Sequence, residues 1–174
     1  MKRLFTLLII TMTALNLSAQ TSKVIGAYFS ASGVTAAAAK ELAKEKNADL
    51  YAIEPAQKYT AADLDWRNKQ SRSSVEMNDP QSRPALKSQK SLADYDVIYL
   101  GYPIWWGVAP RIINTFIESH NLDGKTVVIF ATSGGSTSDK AAMDLAARYP
   151  AIKFVNAGTL NGATKADIQA AAQK

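Results

Sequence analysis

Residues 126–132, Thr-Val-Val-Ile-Phe-Ala-Thr, constrain the fold of this chain more than any other segment. The interior of the run is entirely apolar and does not alternate with polar side chains. A strand without such alternation is buried on both faces, which is typical of parallel sheets. A parallel sheet needs helices to cover its two faces, so this run predicts an α/β protein.

The rest of the chain alternates between strand-like and helix-like segments, which predicts a single domain with a parallel sheet covered on both faces. Pro110 suits the first turn of one predicted helix, and Thr164 and Asp167 have the spacing of a capping box at the start of another. The predicted strands are 23–29, 49–53, 94–101, 126–132 and 152–158, and the predicted helices are 35–46, 110–119, 138–148 and 164–173, with a helical turn or two at 61–68.

Residues 67–91 are polar, include Pro80 and Pro84, and interrupt this alternation. A long irregular segment inside a compact domain is usually either functional or disordered. We expect an ordered excursion with little regular structure, which forms part of a substrate pocket or a docking surface.

Residues 1–19 have the features of a cleavable signal peptide. Lys2 and Arg3 precede a mostly apolar run, and Leu17-Ser18-Ala19 provides a small residue before the predicted cleavage site. The alternative is an uncleaved membrane anchor, which needs about 20 apolar residues and is longer than this run. We therefore expect a mature domain of residues 20–174 that is exported, periplasmic or secreted, with no stable membrane span after cleavage.

Composition excludes several classes of function. Removing Lys2 and Arg3 with the leader lowers the formal net charge from +5 to +3, and the remaining basic residues are scattered, so no nucleic-acid partner is expected. The chain has no cysteine and a single histidine, His120, which excludes thiol catalysis and cysteine or multi-histidine metal sites. We expect no metal site, and we interpret His120 as a solvated cap just past a helix.

The loop after the first predicted strand contains Ser30, Ala31, Ser32, Gly33, Val34 and Thr35. Hydroxyl groups, a glycine and the start of a helix together favour anion binding, because free backbone amides and the helix dipole attract negative charge. The loop has no lysine and the chain has no Gly-x-Gly-x-x-Gly motif, so neither a Walker A loop nor the usual dinucleotide fingerprint is present. A terminal monophosphate suits this loop, and a serine-rich turn that only caps the helix is the alternative.

Two further loops follow the third and fourth predicted strands. The first of them includes Pro103, Ile104, Trp105, Trp106 and Gly107, whose indoles either stack on a flat ligand or pack beneath the next helix. The second includes Ser133, Gly134 and Gly135, which either present free amides to a polar ring edge or form a flexible connector. The carboxyl ends of neighbouring parallel strands form the ligand crevice of such sheets, so the three loops are expected to meet there. A loop for a phosphate, a loop for a flat ring and a loop for a polar ring edge together match flavin mononucleotide (FMN).

Several short motifs occur in order along the chain: Tyr28-Phe29-Ser30 with Ser32-Gly33-x-Thr35, Ile53-Glu54-Pro55 with Tyr59-Thr60, Arg83-Pro84-Ala85-Leu86, Asp94-Tyr95-Asp96-Val97-Ile98, Gly-Tyr-Pro-Ile-Trp-Trp-Gly at 101–107, and Thr132-Ser133-Gly134-Gly135-Ser136. The chain resembles the flavodoxin family, in particular its short flavodoxin-like proteins with the Gly-Tyr-Pro-Ile-Trp-Trp-Gly loop. The resemblance implies a three-layer flavodoxin-like α/β fold, with a five-stranded parallel sheet of order 2-1-3-4-5 and helices on both faces. It also implies bound FMN, with the phosphate on loop 30–35 and the isoalloxazine between the other two loops.

Two features depart from the family pattern. Val34 stands where relatives often have a polar residue, and this chain is basic and has a predicted export signal, whereas carrier flavodoxins are commonly acidic and cytosolic. We expect an exported protein that binds FMN non-covalently and transfers electrons to an unknown redox protein or small-molecule acceptor, with no catalytic side chain. The alternatives are an NAD(P)H-dependent FMN oxidoreductase that acts on a quinone or another small acceptor, and a flavin-free exported binding module.

Overall fold

The computed structural model describes residues 22–174, so the predicted signal peptide, residues 1–19, lies outside the described residues. Strands and helices alternate through most of the chain. In order, they are β1 Val24–Tyr28, α1 Val34–Lys46, β2 Asp49–Ala52, α2 Arg72–Asn78, β3 Val97–Pro103, α3 Arg111–Glu118, β4 Thr126–Thr132, α4 Asp139–Arg148, β5 Lys153–Thr159 and α5 Lys165–Ala172.

The strands form one parallel sheet of order β2-β1-β3-β4-β5, which confirms the predicted fold class. Gly101 in β3 pairs with Tyr28 in β1 on one side and with Phe130 in β4 on the other. The order of the strands reverses between β1 and β3, and this reversal opens a crevice at their carboxyl ends.

Two apolar cores cover the faces of the sheet. Ile112, Ile113, Phe116 and Ile117 of α3 are predicted to share one helix face, and all four are buried in one core together with α4. The other core joins the helices α1 and α5 to the sheet around Phe130. Full burial of a large apolar side chain stabilises the fold by about 1.5–3 kcal/mol, so these cores hold the strand ends in fixed positions.

Helix α5 begins as the sequence predicts. The Asp167 backbone N–H donates to the Thr164 hydroxyl oxygen at 3.3 Å, and the Thr164 N–H donates to the Asp167 carboxylate at 2.8 Å, which forms the predicted capping box. No helix within residues 22–174 combines the length and the apolar character that crossing a membrane requires.

The polar excursion contains more regular structure than predicted, because α2 lies within it. The Ser71 hydroxyl caps this helix by accepting from the Ser74 N–H, and Arg72 forms an ion pair with Glu76 one turn later at 2.7 Å. A short polar helix has no apolar periodicity to reveal it, so the pattern of the sequence missed it. Residues 61–68 form consecutive hydrogen-bonded turns.

His120 lies just past the end of α3 as expected, but the prediction that it is solvated is wrong. Its ring is half-buried and packs on Phe116, with 4.5 Å between the ring centroids. The two ring nitrogens lie 2.6 Å from the Phe116 carbonyl oxygen and 3.0 Å from the Lys90 carbonyl oxygen. His120 therefore connects the end of α3 to the segment that leads into β3.

Candidate functional site

The three predicted loops lie at the same edge of the sheet, because β1, β3 and β4 are adjacent and parallel. Two hydrogen bonds hold the end of β4 beside the other two loops. The Ile104 N–H donates to the Thr132 carbonyl oxygen at 2.8 Å, and the hydroxyl oxygens of Thr35 and Thr132 lie 2.7 Å apart in a buried position.

The first loop turns sharply into α1 at Gly33. Gly33 has a φ of 92°, in the left-handed region that favours glycine, and its N–H donates to the Ser30 hydroxyl at 3.1 Å. A Cβ at Gly33 would meet no heavy atom within 4 Å beyond its chain neighbours, so the loop surface is open there. The first backbone amides of α1 lack partners within the helix, and the first turn carries no acidic residue.

Val34 and Thr35 are the first two residues of α1. The Val34 side chain is half exposed, whereas the Thr35 side chain is buried and its hydroxyl is hydrogen-bonded to Thr132. Thr35 therefore offers an anion its backbone amide and not its side chain.

The second loop is a tight turn at the end of β3. The backbone groups of Trp105 and Val108 exchange two hydrogen bonds, at 3.0 and 3.1 Å. Trp106 and Gly107 form the tip of the turn with φ values of 49° and 80°. A positive φ is strained for tryptophan, so the surrounding turn holds Trp106 in an uncommon conformation.

The two adjacent indoles have different environments. Trp105 packs edge-on against Phe29 and Tyr59, with centroid distances of 5.6 and 5.4 Å. Trp106 is 49% exposed. Trp105 is therefore fixed by the core, whereas Trp106 keeps a ring available for a ligand.

A cleft of about 390 Å³ lies between these loops and a segment made of the 61–68 turns and the start of α2. Six of the predicted site residues line it: Ala31, Ser32, Pro103, Ile104, Trp105 and Trp106. Leu64 and Trp66 of the 61–68 turns and Ser73 of α2 complete the lining, and sequence reasoning missed all three. A tryptophan inside a polar segment is the signal that could have revealed Trp66.

A second cleft, of about 310 Å³, lies on the other side of the first loop. Ser30, Ala31 and Gly33 line it together with residues that follow β2, including Lys58 and Tyr59. Ala31 borders both clefts, so the first loop separates one concave surface from the other.

The third loop is more fully hydrogen-bonded than predicted. The Ser133 N–H donates to the Asn161 side-chain oxygen at 2.7 Å, and the Ser133 hydroxyl accepts from the N–H groups of Gly135 and Ser136 at 3.2 and 2.9 Å. The expectation of free amides is therefore wrong for Ser133 and Gly135. Ser133, Gly134 and Gly135 are also absent from the lining of both clefts.

Two residues of α2 contact Tyr59, which packs with Phe29 and Trp105 in one aromatic cluster. The Tyr59 hydroxyl donates to Glu76, and the Arg72 guanidinium carbon lies 4.1 Å from the centre of the Tyr59 ring. Burial, together with the hydrogen bond to Glu76, raises the pKa of Tyr59 well above its usual value of 10, so the phenol stays protonated and donating. Within residues 22–174, no three histidine, aspartate or glutamate side chains gather as a metal-binding group.

A family model described as flavodoxin matches residues 23–174. The chain belongs to the flavodoxin family. Among solved structures, a candidate flavoprotein from Bacteroides uniformis is 54% identical, with a TM-score of 0.84 over 88% of this flavodoxin-family chain and 99% of the other. A candidate flavoprotein from Bacteroides eggerthii is 57% identical, with a TM-score of 0.84 over 86% and 94% of the two chains.

A more distant structure shares the flavodoxin fold. It is a flavoprotein from Lactobacillus acidophilus in complex with FMN, which is 20% identical, with a TM-score of 0.63 over 78% of this chain and 91% of that one. No curated protein matches this chain.

Proposed function

We propose that this protein binds FMN non-covalently where β1, β3 and β4 end, and transfers electrons through the flavin. One observation carries the proposal: an open, anion-favouring loop and a cleft lined by two tryptophans meet at Ala31 and Ser32. Family membership supports it, as does the FMN complex of the Lactobacillus acidophilus flavoprotein, which shares the fold. The volume of the cleft lies within the range of small-molecule sites.

The residues of the first loop fit the phosphate group. The open surface at Gly33 and the free amides at the start of α1 suit an anion, and the helix dipole adds to the attraction. Each hydrogen bond to a charged group contributes about 1.5–3 kcal/mol. We assign Ser30, Ala31, Ser32, Gly33, Val34 and Thr35 to the phosphate, with Thr35 acting through its backbone.

The residues of the second loop fit the isoalloxazine ring. Trp105 forms a fixed wall, Trp106 supplies an exposed indole, and Pro103, Ile104 and Gly107 complete the surface of the loop. Of Ser133, Gly134 and Gly135, only Gly134 has a backbone N–H that donates to no group within residues 22–174, so we assign that N–H to the polar edge of the ring.

When bound, FMN supplies the electron or hydride transfer itself. The chain binds and orients the flavin and excludes water from the ring face that the indoles cover. Apolar surroundings disfavour a gain of negative charge on the ring, so the site lowers the reduction potential. No side chain of this site is assigned as a proton donor or acceptor.

The partner of the reaction and the compartment are part of the same proposal. The signal-like residues 1–19 support an exported, periplasmic or secreted protein that exchanges electrons with a redox protein or a small acceptor. Cell fractionation tests export: the protein should accumulate outside the cytoplasm, shortened by the leader. Rapid bleaching of the bound flavin by NADH or NADPH alone would instead identify an oxidoreductase.

Titration of residues 20–174 with FMN and with riboflavin tests the binding site. Ser32→Asp should weaken FMN binding at least 100-fold and leave riboflavin binding nearly unchanged, because two like charges about 4 Å apart near a protein surface repel by about 4 kcal/mol. Ser91→Asp is the matched control, since it adds the same charge before the amino end of β3. Wild-type protein that binds no FMN would overturn the proposal, and unchanged affinity in Ser32→Asp would place the phosphate elsewhere.

A further inference from the structure

Trp66 is a large exposed indole in the 61–68 turns, where it forms part of the wall of the 390 Å³ cleft. It is 70% exposed, and it lines the same cleft as Trp105 and Trp106. We propose that Trp66 is a third aromatic contact of the isoalloxazine, so that the 61–68 turns complete the flavin site. This inference rests on the proposed function.

The turn that carries Trp66 is held in place on both sides. The Ser73 N–H donates to the Asp63 carbonyl oxygen at 2.9 Å, and the Asn68 N–H donates to the Asp65 carbonyl oxygen at 3.0 Å. The Asp63 carboxylate also accepts from the Thr60 hydroxyl at 2.8 Å. The backbone that carries Trp66 is therefore held in place before a ligand arrives, which reduces the ordering entropy that binding has to overcome.

A ligand explains the exposure of Trp66 better than chance does. Single exposed apolar side chains are common, and Val75 and Met143 are examples outside the cleft. Trp66 and Trp106 are both exposed and both line one cleft, where Leu64 and Ile104 add further apolar surface. Two exposed indoles in one concave site indicate a planar aromatic ligand.

The size and charge of the cleft restrict which part of FMN contacts Trp66. About 390 Å³ is near the lower limit for small-molecule sites, which leaves room for one ring system. The charged neighbours of Trp66, Asp65 and Arg67, form an ion pair with each other at 3.2 Å. This wall is therefore close to neutral, so it suits the uncharged ring and not the phosphate.

Affinity measurements with two flavins test the assignment. Trp66→Ala should weaken FMN and riboflavin binding by the same factor, roughly three- to tenfold, as expected for the loss of one aromatic pair. Trp66→Phe keeps a flat ring and should recover most of the affinity. Val75→Ala is the control, because Val75 is 55% exposed and lies on α2 outside the cleft lining.

Each outcome decides between the two proposals. If the wild type binds both flavins and Trp66→Ala binds them equally well, the assignment of Trp66 is wrong and the proposed function stands. A loss confined to FMN would place Trp66 at the phosphate and would also overturn the assignment. If the wild type binds neither flavin, the proposed function and this inference both fail. Thermal unfolding without flavin should match the wild type, since few contacts are lost from a side chain that exposed.

Discussion

Gly101 lies where the sheet has no room for a side chain. A Cβ at this position would lie 2.1 Å from Cζ and 2.4 Å from Cε2 of Phe130, its partner on β4. Favourable contacts between carbon atoms occur at about 3.5–4.0 Å, so Gly101→Ala forces either the ring or the strand to move. Phe130 is fully buried between α1, α5 and the sheet, which opposes that movement.

The expected cost follows from the depth of this clash. Overpacking a well-packed core usually costs about 1–3 kcal/mol, and two contacts this short place Gly101→Ala at the upper end, about 3 kcal/mol. In a domain of this size each kcal/mol lowers the melting temperature by about 2–4 °C, so we expect a decrease of roughly 6–12 °C.

Urea and thermal unfolding of the flavin-free domain measure this change. Gly134→Ala is the matched control, because a Cβ at Gly134 would meet nothing within 4 Å, and it should remain within about 0.5 kcal/mol of the wild type. Gly101→Ala combined with Phe130→Leu should cost less than the sum of the two single changes, since leucine removes the ring atoms that clash. A stability of Gly101→Ala equal to that of the control would refute the reasoning.

Two further predictions concern the tryptophan loop and the response to acid. Trp105→Ala should cost about 2–3 kcal/mol of stability, because Trp105 packs on the core. Trp106 is exposed, so Trp106→Ala should cost little stability but should weaken flavin binding. Equal unfolding midpoints for the two variants would contradict this difference. The Arg83 guanidinium donates to Glu118 and holds the pKa of that carboxyl below its usual value of 4.5. The pair therefore stabilises the fold fully above about pH 4.5, and this stabilisation is lost as the pH falls through the lower pKa of the folded state. Because Glu118 is partly exposed, the pair contributes less than about 1 kcal/mol. Between about pH 5 and pH 3, the melting temperature of Arg83→Ala should change less with pH than that of the wild type, and an equal pH dependence in both proteins would exclude this role.

Local sequence patterns predict the elements that depend on local chemistry. The uninterrupted apolar run gives β4 its bounds, and the Thr164 and Asp167 spacing gives the start of α5, because burial on both faces and capping are properties of neighbouring residues. The adjacency of the first two loops follows from the strand order that the family resemblance implies.

Features that depend on distant partners are not visible in such patterns. Helix α2 is short and polar, and its Arg72 contacts Tyr59 on a separate turn. The amide of Ser133 is occupied by Asn161, which follows β5. Trp66 lines the cleft on a turn that is hydrogen-bonded to α2. Each of these depends on how the folded chain brings remote segments together.

The bond between Thr35 and Thr132 has a consequence for the assembly of the protein. It joins residues 97 positions apart, so the crevice is complete only after β4 has docked beside β3. A fragment that ends before β4 lacks this junction and cannot present the full set of loops. A ligand that contacts all of these loops binds only the fully folded domain. By mass action, such a ligand stabilises the entire domain against unfolding and not only the loops that it contacts.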